Sequence, residues 1–151
     1  MLKHPTDREE TYQDGDVIVR EGEERREMYV IGRGEVVVTK TIEGREVEIA
    51  RLTRGDFFGE MSLLESLPRY ATVRSVGETR VLVIEPGYLL LKIRRNPTFA
   101  FEMLQHMSRR LRQINQRLMD LVASGEVSKE AAGKLEPFGA AADLTRVGGA
   151  S

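Results

Sequence analysis

The stretch GDFFGEMSLLESLPRYATVRS, Gly55 to Ser75, holds the residues of this chain whose types and spacing could do chemistry. It combines a Gly59-Glu60 pair, a short run from Met61 to Glu65 with room for one or two helical turns, and Arg69 directly after Leu67-Pro68. Backbone N–H groups at the start of a short helix point outward unpaired and favour an anion. Arg69 adds a planar donor fork that stays charged at any relevant pH. Glu60 has the opposite preference: a phosphate would repel its carboxylate, so its place is one step away, accepting a hydrogen bond from a sugar hydroxyl. Taken singly, Arg69 reads as a surface arginine on a carbonyl or a glutamate, and Glu60 as a helix-start acid. The combination suits a small phosphorylated ligand.

The flanking sequence must position this segment. From Val17 to Ile84 it is a series of short β-branched runs: Val17 to Val19, Met28 to Ile31, Glu35 to Thr41, Glu46 to Leu52, Tyr70 to Val76 and Thr79 to Ile84. Asp14-Gly15, Gly22, Gly32 with Gly34, Glu43-Gly44, Gly55-Asp56 and Gly77 read as turns between them. Strands this short predict a β-sandwich or barrel with hairpin connections, not a parallel sheet with crossover helices. After Ile84 the pattern becomes helical. Pro86-Gly87 ends the last strand, Tyr88 to Arg95 forms a short Leu-rich helix, and Asn96-Pro97 starts a long one. Along it Ala100, Leu104, Met107, Leu111, Ile114, Leu118 and Leu121 alternate at spacings of four and three, a coiled-coil seam that packs on a parallel second copy or else on the β-domain. Ser124-Gly125 stops it. The chain then divides into a segment 1–11, a domain 12–122 (barrel 12–85, hinge and long helix 86–122) and a mobile tail 123–151 with a marginal helical turn near Lys129 to Leu135.

Composition narrows the chemistry. Lys+Arg is 23 against Asp+Glu 24, so no global charge draws the chain to nucleic acid or anionic lipid, and binding must come from a local site. With Cys 0, and His 2 at the distant positions His4 and His106, neither thiolate chemistry nor a histidine-rich metal cluster is expected. A metal-dependent enzyme on a similar barrel is disfavoured for the same reason. No apolar run approaches the roughly 18 residues of a membrane helix, and the amino terminus lacks a signal-peptide core, so the expectation is a cytoplasmic protein.

Gly55 to Ser75 resembles the phosphate-binding cassette of cyclic nucleotide-binding domains, as in the catabolite activator proteins and the regulatory subunits of the cAMP-dependent kinase. GDVIVREG (Gly15 to Gly22) and MYVIGRGEVVV (Met28 to Val38) resemble that family's opening strands, and the short and long helices its hinge and C-helix. The resemblance implies that Glu60 takes the ribose 2′-hydroxyl, that Arg69 pairs with the equatorial phosphate oxygens, and that Gly59 lets the backbone approach the ribose. It implies phosphate contacts from the backbone N–H groups of Ser62 and Ala71, with Leu63 and Thr72 as lesser candidates and Met61 and Tyr70 also in the binding set. The fold it implies is an antiparallel β-barrel, jelly-roll-like and of double-stranded β-helix type, followed by the hinge helix and the long C-helix. Position 70 departs from the family: kinase-type cAMP sites usually carry Ala there and cGMP-selective ones Thr or Ser, whereas this chain has Tyr70. By itself Tyr70 reads as a strand aromatic covering the barrel. Where activator-type proteins place a Thr-Ser pair on the C-helix against the adenine amine, this chain has Ile114 and Asn115; Asn115 can hydrogen-bond a base and Ile114 cannot.

The implied function is a non-catalytic sensor with no cofactor. Its ligand would be cAMP ahead of cGMP, with binding coupled to a homodimer through Leu104, Met107, Leu111, Ile114, Leu118 and Leu121 and read by another, unidentified protein. Direct nucleic-acid binding is disfavoured, since the residues after Ser124 are too few and too poor in large apolar side chains for a helix-turn-helix module. Tyr70 and Ile114 keep an alternative open, a barrel that has lost its ligand and serves as an interaction or dimerisation module.

Overall fold

The computed structural model describes residues 8–133. Strands β1 (Arg8–Tyr12), β2 (Val17–Val19), β3 (Met28–Ile42), β4 (Arg45–Thr53), β5 (Phe57–Phe58) and β6 (Thr72–Ile84) form one antiparallel sheet. Its order is β1-β6-β3-β4, with β2 also on β6 and β5 also on β3. The two long strands each serve two layers. Along Tyr29 and Val30, β3 lies between β5 and the end of β6; along Glu35 to Thr39 it lies between β4 and the start of β6. Likewise β6 pairs with β1 over Thr79 to Val83 and with β2 at Val73 and Arg74. This is the jelly-roll-like arrangement that the resemblance implies, although β1 and β4 do not pair, so no ladder closes the barrel among the described residues.

Two boundaries differ from expectation. The runs around Gly32-Gly34 and Gly77 are not separate strands joined by turns. The glycines are bends within β3 and β6, marked by register shifts between Ile31 and Arg33 and between Arg33 and Glu35. A Cβ on Gly34, at φ +96°, would stand 2.5 Å from the Glu78 carbonyl oxygen and 2.9 Å from Thr79 Cα, so the two bends cross where only glycine fits. Second, β1 lies in a segment read as outside the barrel. Arg8-Glu9-Glu10-Thr11 has no apolar alternation to announce a strand, and it is extended because it pairs with β6 from Arg8↔Val83 to Tyr12↔Thr79.

The core is Ile18, Val19, Tyr29, Ile31, Val36, Phe58, Val73, Val81 and Val83, with the Tyr29 and Phe58 rings stacked at 5.0 Å. Burial of such side chains, each worth roughly 1.5–3 kcal/mol, holds the layers together. At the crossing of the bends, Thr79 Oγ1 donates to the Glu35 carbonyl at 2.9 Å, while Ser75 Oγ lies 2.7 Å from Thr79 Oγ1 and 2.6 Å from the Gly77 carbonyl. Both hydroxyls are buried. Thr79→Val removes the donor to Glu35 while keeping the shape. We expect it to cost about 1–3 kcal/mol in urea unfolding; a loss below ~0.5 kcal/mol would show that the hydroxyl network is not structural.

The helices are α1 (Glu60–Glu65), α2 (Pro86–Arg95), α3 (Pro97–Ala123) and α4 (Lys129–Gly133). As the Asn-Pro pair predicts, α2 ends and α3 begins at Asn96-Pro97, where the proline costs no helical hydrogen bond. Gly125 closes α3 at φ +80°: its N–H reaches the Val122 carbonyl at 3.1 Å and the Glu126 N–H reaches that of Leu121 at 3.0 Å. The expected turn near Lys129 is α4, entered through Ser128 Oγ, which accepts from the Ala131 N–H at 3.1 Å. Leu135 and the rest of the tail from 134, together with His4 and the segment 1–7, lie outside the described residues. The chain divides into two compact units between Glu102 and Met103. Among the described residues no helix is long and apolar enough to cross a membrane.

Candidate functional site

The chemistry-bearing segment is anchored by Phe57 and Phe58, both buried and paired with β3. The chain then turns at Gly59, with φ +82° and ψ 0°, into α1. A Cβ at Gly59 would stand 2.8 Å from the Glu27 carbonyl oxygen and 2.9 Å from Arg69 Nη1, so the close approach requires glycine. The first helical bond of α1 runs from the Leu63 N–H to the Gly59 carbonyl, 3.4 Å, so the Leu63 N–H, a lesser candidate for the phosphate, is taken up by the helix, and those of Met61 and Ser62 lie ahead of the ladder. Ser66, in the left-handed conformation, ends the helix. The return to β6 is tied to the loop after β2. The Gly22 N–H donates to the Arg69 carbonyl and the Arg69 N–H to that of Glu23, both at 2.8 Å, and Thr72 Oγ1 accepts from the Glu21 N–H at 3.0 Å.

This framework holds the Arg69 side chain inward. Arg69 is 3% exposed. Its Nη1 donates to the Gly59 carbonyl at 3.3 Å and its Nη2 to Glu27 Oε2 at 3.2 Å, and the guanidinium carbon lies 5.8 Å from the centre of the Tyr29 ring. These bonds use one N–H on each Nη and leave the Nε–H and the second N–H of each Nη for a ligand. Burial pushes the guanidinium down from its ordinary value, and the Glu27 carboxylate opposes that shift. Glu27 is itself shared: its Oε1 accepts from Arg25 at 3.1 Å. Partial burial would raise its carboxyl. The hydrogen bond from its own backbone N–H, Arg25 and the Arg69 charge together outweigh that and hold it below the ordinary value.

Gly59, Glu60, Ser62, Arg69, Ala71 and Thr72 are thus gathered on one framework; apart from Gly59 all are buried or nearly so. Met61 stands on the exposed side of α1. Tyr70 is neither in a strand nor covering the barrel. It precedes β6, is 54% exposed, and carries Lys40, whose Nζ donates to the Tyr70 carbonyl at 2.6 Å and sits 3.8 Å from the ring centre. Asn115 is half-buried on α3 and belongs to the second compact unit.

Several neighbours of the site are not legible in the sequence. Arg25 reaches it through Glu27, and Arg26 donates to the Leu63 carbonyl at 3.2 Å and to that of Ser62 at 3.5 Å, bracing α1 from the side. Arg26 lies 36 positions from Ser62 and Glu27 42 positions from Arg69, and no local spacing announces such pairs.

The site is thus a glycine-entered short helix beside a buried arginine on a β-domain of jelly-roll-like topology. Residues 9–96 match the family model described as the cyclic nucleotide-binding domain, and this chain belongs to that family. It is similar to a cAMP-dependent protein kinase regulatory subunit of Mycosarcoma maydis, with 41% identity over 68 residues, 45% of this chain and 13% of that one. Among solved structures it resembles the Thermus thermophilus catabolite activator protein, with a TM-score of 0.67 and 31% identity over 78% of this chain and 55% of that one. It also resembles the regulatory domain of Toxoplasma gondii PKA crystallised with cAMP, with a TM-score of 0.57 and 28% identity over 69% of this chain and 39% of that one. The chain therefore spans little more than half of the longest-matched of these proteins and about an eighth of the kinase subunit.

Proposed function

We propose that this protein is a non-catalytic sensor that binds a 3′,5′-cyclic nucleotide, cAMP in preference to cGMP. The observation that carries the reading is the buried Arg69 fork beside Gly59, which keeps N–H donors for a small anion. Arg69 takes the equatorial phosphate oxygens, Glu60 the ribose 2′-hydroxyl, and the N–H groups of Ser62 and Ala71 complete the phosphate contacts. Met61, Tyr70 and Thr72 complete the binding set of the cassette, and Asn115 is proposed as the contact to the base. The cAMP of the Toxoplasma gondii relative supports the choice of ligand. Tyr70 supplies neither the Ala of kinase-type cAMP sites nor the Thr or Ser hydroxyl of cGMP-selective ones.

The response is a population shift. Closing Gly59 to Arg69 on the phosphate moves Leu63 and Leu64, and the hinge of α2 passes this to α3. A ligand that acts as a switch must prefer one helix arrangement by ~1–3 kcal/mol. On α3 the seam residues Leu104, Leu111, Ile114 and Leu121 are exposed in the single chain, which supports a parallel homodimer through them together with Met107 and Leu118. The output passes to a protein effector.

Isothermal titration with both nucleotides tests the reading. We expect cAMP to bind at sub-millimolar concentration and more tightly than cGMP. Absence of heat with either would overturn the sensor and favour an interaction module built on the same barrel.

A further inference from the structure

We propose that Arg25 is a positioning residue of the phosphate subsite, and that it acts by holding Glu27 so that Glu27 orients Arg69 without neutralising it. The inference rests on the reading of Arg69 as the phosphate ligand.

A buried cation needs a counter-charge within the fold, or its desolvation would weigh against folding. Glu27 supplies one through Oε2, 3.2 Å from Arg69 Nη2. That arrangement carries a difficulty. A carboxylate paired to the phosphate-binding arginine cancels the charge the phosphate must find, and it repels the incoming anion. The opposite oxygen of the same carboxylate resolves it. Glu27 Oε1 accepts from Arg25 Nη2 at 3.1 Å, so the group is an Arg25–Glu27–Arg69 chain with one carboxylate between two guanidinium groups. Its net charge is that of a single cation, not a neutral pair. The grip on Arg69 stays monodentate, and the Nε–H and one N–H of each Nη remain for the ligand.

The two ends of this chain sit in different surroundings. The Arg69 side chain is 2% exposed and that of Arg25 is 58% exposed. Arg25 thus works from the solvent side, where screening limits each single interaction. Without it, Glu27 has no second cation to share its charge and falls wholly on Arg69. The backbone helps to fix the geometry, because Glu27 leads directly into β3, whose Tyr29 ring lies beneath the Arg69 guanidinium, while Arg26 is tied to the carbonyls of α1.

A double-mutant cycle on the full chain tests this, with cAMP titrated calorimetrically into the parent, Arg25→Gln, Glu27→Gln and the double variant at low and at high salt. Arg25→Gln is expected to weaken binding roughly three- to fivefold at low salt, and less at high salt. Glu27→Gln keeps a carbonyl to accept from Arg69 and removes the competing charge, and it is the background in which the role of Arg25 is read. In the Glu27→Gln background Arg25→Gln should have no effect, because the charge it manages is gone. An equal loss in both backgrounds would mean that Arg25 attracts the ligand directly, and parent-like binding by Arg25→Gln would mean that it does nothing here; either overturns the proposal. A parent that binds neither cAMP nor cGMP removes the sensor reading and this inference with it, and is distinguished from the other failures by the parent titration alone. Thermal unfolding of each variant separates a loss of fold from a loss of affinity.

Discussion

Arg69→Ala is expected to weaken cAMP binding by about a hundredfold or more, equivalent to ~3 kcal/mol. The size of the effect follows from where the side chain lies. At 3% exposure it is held by the Gly59 carbonyl and Glu27 against the Tyr29 ring, so its donors are aimed before a ligand arrives and bind with little further loss of side-chain freedom. Truncation removes the charge and the fork, and leaves Glu27 as an anion facing the phosphate. Arg69→Lys keeps a charge without the planar fork and should fall between the two. Glu27 retains Arg25 in either variant, so the fold should survive, which circular dichroism can check. If Arg69→Ala bound cAMP within threefold of the parent, the phosphate would have to lie elsewhere.

The second large effect concerns the fold. Gly34→Ala should destabilise the domain by roughly 2–4 kcal/mol, through the left-handed backbone at φ +96° and the collision of a Cβ with the Glu78 carbonyl 2.5 Å away. Both neighbours are backbone at the crossing of β3 and β6, so neither can swing aside as a flexible side chain would. Against a total stability of ~5–15 kcal/mol this is a large fraction, visible as a shift of the urea midpoint. A midpoint unchanged from the parent would mean that the two bends separate at little cost. Gly77→Ala offers a comparison, because a Cβ there meets nothing within 4 Å although its φ is also positive, +68°. It should cost no more than the backbone term, about 1–2 kcal/mol.

Local chemistry made much of this legible in advance. Gly59, the short helix from Glu60, the Asn96-Pro97 junction and the glycine stop after α3 stand where residue type and spacing put them, since each depends on conformations that a few neighbouring residues decide. What the sequence concealed is non-local. β1 is a polar strand formed by pairing with β6, a partner some seventy positions away, and its own side chains carry no alternation. Gly32, Gly34 and Gly77 signal a change of direction but not whether the chain reverses or bends, which is decided by the opposite strand continuing through the register shifts. Tyr70 looked like a strand residue because aromatics fit pleated surfaces. The strand instead begins at Thr72, and Lys40 holds the ring outside it. At the site, Arg69 and Glu60 could be chosen from the motif, whereas Arg25, Arg26 and Glu27 sit in a charged loop, Arg20 to Glu27, whose residues look alike until the fold brings some of them against α1 and Arg69.

The central claim, that this β-domain holds a cyclic nucleotide at Arg69, is tested most directly by native mass spectrometry of the full chain with cAMP titrated in, beside Arg69→Ala under the same conditions. The account predicts a mass increase of one nucleotide for each parent chain at sub-millimolar cAMP, and no such increase for the variant. Equal occupancy of parent and variant, or none in the parent, would contradict it.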